Sequence, residues 1–161
     1  MTMRILAAIP VLALTCVCAS SGPKAAADAA PVDFARADGA DIGLRPIPNA
    51  ALPSGACGMV MWTLEGNRPA AIFQFISGKK ARINIAGRPV ELTLADYGGA
   101  SGFGVYERQT FEGGEGIEVE VNARFGLSFN GGSYLEQGLV KVRDSAGWSI
   151  VAPAAGVAGC R

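Results

Sequence analysis

Four cysteines and no histidine frame the chemistry open to this 161-residue chain. Without an imidazole there is no Ser-His-Asp or Cys-His mechanism, no His-ligated zinc, and no side chain whose ordinary pKa lies near neutrality. Cys57 and Cys160 bracket nearly everything that looks foldable. In an oxidising compartment such a pair is more often a staple than two reactive thiols, and pairing them leaves no thiolate set for a metal. A link closing about 100 residues is worth roughly 4–5 kcal/mol in the chain-entropy treatment. Carboxylates are the remaining catalytic option. Glu112, Glu115, Glu118 and Glu120 cluster in sequence, and two carboxylates at a suitable separation hydrolyse glycosides. Glu118 and Glu120, however, fall on the polar side of an alternating segment, where solvated charge is the default. The expectation is a protein that is not an enzyme and needs no cofactor or metal.

Three other motifs fail on inspection. Ser77-Gly78-Lys79-Lys80 has Phe73 where a phosphate loop needs its first glycine, and Lys80 where it needs Ser or Thr. Gly99-Ala100-Ser101-Gly102-Phe103 has Phe103 where a nucleophile elbow needs glycine. Asp38 and Asp41 do not have the spacing of a twelve-residue calcium loop.

The first two cysteines belong to a different problem. Arg4 precedes Ile5–Leu14, an uncharged apolar run of ten residues that ends just before Cys16 and Cys18. A spanning helix needs about 20 such residues. The run fits the apolar region of a secretory signal peptide, with small residues at Val17-Cys18-Ala19 before Ser20. The expected signal is 1–19, cleaved after Ala19; the alternative is lipidation at Cys16, which would anchor the chain to the envelope. Residues 20–55 are rich in Ala, Pro, Gly and Asp, with no sustained period and little apolar mass, and are expected to form a disordered leader. Charge is balanced at 14 basic and 14 acidic residues. Neither nucleic-acid binding nor electrostatic membrane attraction is expected of such a chain, so membrane association would require the lipid on Cys16.

The elements that must position these residues lie in 56–161. Ile117-Glu118-Val119-Glu120-Val121-Asn122-Ala123-Arg124-Phe125 alternates apolar with polar, the pattern of a half-buried strand, and the alternation continues through Leu127 and Phe129. Met59–Leu64, Ala71–Ile76, Ala81–Ile85, Val90–Leu94, Phe103–Phe111, Leu139–Arg143 and Trp148–Val151 complete the set, separated by Gly-, Asn- and Asp-rich turns. The pattern predicts an all-β domain, a single antiparallel β-barrel or β-sandwich of seven to eight short strands, closed by a Cys57–Cys160 disulfide. It does not choose between barrel and sandwich.

One stretch within it is more specific. Gly98-Gly99-Ala100-Ser101-Gly102-Phe103-Gly104-Val105-Tyr106 is a glycine-rich segment carrying a hydroxyl and a phenol. It resembles the Ser-Gly-x-x-Tyr loop of the membrane-bound and periplasmic inhibitors of C-type lysozyme. Those are small exported β-barrels with one cysteine before the first strand and another near the C-terminus. The resemblance implies that Ser101 and Tyr106 engage the catalytic region of a lysozyme. Here Tyr106 lies five residues after Ser101, where the family has four. The resulting expectation is a periplasmic or secreted binding protein with a protein partner, inhibitory in its sharpest form. A structural envelope protein is the alternative, and a carboxylate-dependent glycan hydrolase the third.

Overall fold

The computed structural model describes residues 43–65 and 68–161. The expected signal segment, Cys16, Cys18 and the leader up to residue 42 lie outside the described residues. Eight strands follow one another: β1 (Cys57–Glu65), β2 (Arg68–Ile76), β3 (Ala81–Ile85), β4 (Arg88–Gly102), β5 (Val105–Gly113), β6 (Glu118–Phe129), β7 (Gly132–Arg143) and β8 (Ser149–Cys160). Each pairs antiparallel with the next, and β8 returns to β1, so the sheet closes into a barrel. That settles barrel over sandwich.

Eight strands enclose a space just wide enough for side chains to fill. Phe111 packs against Phe73 and Phe75 with ring centroids 5.1 and 5.2 Å away. Met59, Met61, Ile83, Leu92, Val119, Val121, Leu135, Val140 and Val142 belong to the same buried cluster. On β6 the alternation works as expected, with Val119, Val121 and Ala123 buried and Glu118, Glu120 and Asn122 part-exposed between them. Strands β3 to β6 thus carry their exposed charge on the outside, with mainly apolar side chains and the buried Gln109 inside.

Cys57 and Cys160 are cross-strand partners, 3.9 Å apart at Cα and joined by a disulfide. The bond sits where the last strand meets the first, so it fastens one end of the closing seam.

Several expectations are corrected. The leader does not extend to residue 55. Residues 43–55 run against β2 and β3 as a strap, with Leu44 bridging to Ile85 and joining the core cluster, and the Ile47 amide donating to the Ala71 carbonyl at 2.7 Å. Leu44 and Ile47 are buried, and Gln74 Nε2 donates to the carbonyls of Ala50 and Ala51. A few well-placed apolar residues and an outward-facing glutamine hold a segment whose composition alone reads as unstructured. The alternation of β6 also fails beyond Phe125. The β6–β7 register shifts between Phe125 and Ser128, which turns Leu127 and Phe129 outward, 77% and 44% exposed. Phe103 belongs to a turn rather than to β5, and Trp148 to the turn before β8. Strands β4, β7 and β8 are far longer than their apolar cores suggest.

Candidate functional site

The glycine-rich segment is not a loop. Residues 98–102 form the end of β4, and the chain reverses in two residues, Phe103 and Gly104, both at positive φ (58° and 72°). A two-residue turn with both φ positive matches the twist of the flanking strands. It brings Gly102 opposite Val105 and Ser101 opposite Tyr106. The five-residue spacing that departs from the lysozyme-inhibitor pattern is the one that such a turn places face to face. The sequence pattern predicts a flexible glycine loop between Ser101 and Tyr106; the structure has a two-residue hairpin there, with the two residues directly opposite each other.

The hairpin is docked, not free. A Cβ on Gly104 would fall on the side chain of Ser77 at the β2–β3 turn, and Phe103 packs against the core cluster. The tip is therefore folded onto one end of the barrel. Ser101 is exposed and Tyr106 is part-exposed. Tyr106 stacks on Tyr97, ring centroids 4.2 Å apart and planes inclined by 29°, and Tyr97 is itself 55% exposed. Tyr97 was missed in the sequence because nothing in its spacing from Tyr106 betrays the irregular register between them.

That register shift, between Gly98 and Ser101, is bridged by side chains of β5. Glu107 Oε2 accepts from the Ala100 amide at 3.4 Å, and its Oε1 accepts from the Phe125 amide of β6 at 3.3 Å. Gly99, at φ 85°, leaves room for the Glu107 stem. Gln109, fully buried, accepts from the Tyr106 amide through Oε1 at 3.1 Å. Its Nε2 has no partner among the described residues.

Of the carboxylates singled out in sequence, Glu112, Glu118 and Glu120 lie near one another on β5 and β6, and Glu115 stands apart. Glu112 and Glu118 are cross-strand partners, but Glu118 pairs with Arg143 at 3.0 Å, and Glu120 accepts from Asn122 Nδ2 at 2.8 Å. Glu115 sits apart in a shallow pocket of about 310 Å³, shared with Glu91 and Arg88. No cluster of three acidic or cysteine side chains suited to a metal occurs among the described residues.

A second surface has a different character. On the outside of β7, β8, β1 and the start of β2, Trp62, Pro69, Tyr134, Pro153, Ala155 and Val157 line an open groove of about 660 Å³. Phe129 leans on Tyr134 at its margin, with centroids 5.1 Å apart. This apolar side contrasts with the charged outer wall of β3 to β6. No family model, curated protein or solved structure matches the chain.

Proposed function

We propose that this protein is an exported, non-catalytic binding protein of the cell envelope that inhibits a cell-wall hydrolase of the lysozyme type. The observation that carries the reading is the direct pairing of Ser101 with Tyr106 on a docked two-residue hairpin. A hydroxyl and a phenol held at fixed separation on a rigid edge suit insertion into a concave partner, because little ordering entropy is left to lose on binding. The packed interior leaves recognition to the outer surface. Glu118 is held by Arg143 and Glu120 by Asn122, both on the exposed wall of the sheet rather than in a cleft, which favours binding over glycan hydrolysis.

The test is a lysozyme assay on a bacterial cell-wall substrate with the purified mature protein. The wild type should inhibit in a saturable manner, and S101A/Y106A should lose at least tenfold in potency while remaining folded, its Tm lowered by only about 3–6 °C through loss of the Tyr97 stack. Absence of inhibition across C-type lysozymes would leave the structural envelope role as the better reading. Export carries its own test. The mature N-terminus should begin near Ser20, or at Cys16 with the added mass of a lipid.

A further inference from the structure

Glu107 occupies a place that no ordinary strand residue fills. On one side the β4–β5 ladder slips between Gly98 and Ser101; on the other the β5–β6 ladder ends at Arg108 opposite Asn122. Beyond those points Ala100 on β4 and Phe125 on β6 present amides toward β5, and the two oxygens of one carboxylate accept both. A carboxylate is suited to this because it accepts at both oxygens and has no donor to satisfy. Gln at the same position would keep one acceptor and turn an amide N–H₂ toward a backbone N–H. Asp would fall one methylene short of spanning both strands.

We propose that Glu107 is the positioning residue of the Ser101–Tyr106 surface. It ties the strand segment next to Ser101 to β6, and so fixes the angle at which the hairpin lies on the barrel. Gln109 completes the arrangement by holding the Tyr106 amide from below. This inference rests on the inhibitory reading of the hairpin, and it adds the residues that set the geometry of the contact without touching the partner.

Two measurements test it separately. Amide exchange of Glu107→Gln should rise about tenfold at Ala100 and Phe125, and stay unchanged at Val119 and Val140 in the core. Unchanged exchange at Ala100 and Phe125 would overturn the bridge itself. Inhibition of C-type lysozyme should fall about tenfold in E107Q, with Glu107→Asp recovering none of it, whereas E107Q added to S101A/Y106A should produce no further loss. Full additivity of the two effects would overturn the positioning role, because Glu107 would then act independently of the pair. A wild-type protein that inhibits no lysozyme would overturn the functional reading and the positioning role with it, while the exchange result still decides whether the bridge exists.

Discussion

Tyr97 and Tyr106 stack across the β4–β5 hairpin with centroids 4.2 Å apart, although the ladder that should bring them together is out of register between them. The pair orients the phenol of Tyr106, the cross-strand partner of Ser101. Stacked aromatic pairs contribute about 0.5–1.5 kcal/mol beyond area burial. Tyr97→Ala should therefore destabilise the fold by about 1 kcal/mol in a urea titration. It should weaken lysozyme inhibition as well, by leaving the Tyr106 ring free to rotate. Y97F should behave as wild type in both assays.

Gly104 is required by both conformation and space. Its φ of 72° disfavours any residue with a Cβ, and the Cβ would meet Ser77. Gly104→Ala should destabilise by about 2 kcal/mol, roughly half from the backbone conformation and the rest from the clash. The double variant G104A/S77G should recover the steric part, detected as a partial return of the urea midpoint. Equal destabilisation of single and double variants would show that the tip does not touch the β2–β3 turn.

Adjacent residues on β6 should respond in opposite ways. Val119 is completely buried, so Val119→Asp places an unpaired charge in the core and should prevent folding or cost more than about 4 kcal/mol. Glu118→Lys loses an exposed ion pair to Arg143 and puts two cations opposite each other, an effect of about 1 kcal/mol or less. Circular dichroism melts of the two variants separate these outcomes.

The strap predicts that truncation to residue 56 is not neutral. Removing residues 43–55 takes away the buried side chains of Leu44 and Ile47, frees the Ala71 and Asn84 carbonyls, and strips Gln74 Nε2 of its two acceptors. A protein starting at residue 56 should melt several degrees below one starting at residue 43, consistent with the loss of two buried apolar side chains at about 1.5–3 kcal/mol each before entropy is returned.

Legibility followed periodicity. The interior of β6 was readable from Val119 to Ala123 because a strand with one wet face writes its geometry as a period of two. The same rule misplaced Leu127 and Phe129, since a register shift inverts facing without leaving a mark on composition. The strap was invisible because two apolar contacts and one glutamine do not make a period. Closure of the barrel depends on β8, whose sequence from Ala152 to Cys160 is mostly small residues with little hydrophobic contrast. Ser101 and Tyr106 stand out in the sequence through the resemblance of their segment to a Ser-Gly-x-x-Tyr loop. Tyr97, Glu107 and Gln109 do not, because they matter through slips in register that only the folded sheet reveals.

Considered mechanically, the barrel is a hoop riveted at one end of its seam. A pull applied between Gly55 and Arg161 runs straight across the Cys57–Cys160 bond and loads none of the β1–β8 hydrogen bonds behind it. Peeling would have to begin at the opposite end of the seam, where Trp62 faces Ala155, and no force on the chain near the rivet reaches that point. In the oxidised state a tether attached ahead of β1 can be strained without opening the sheet. Once the bond is reduced, the same pull unzips the seam one residue pair at a time.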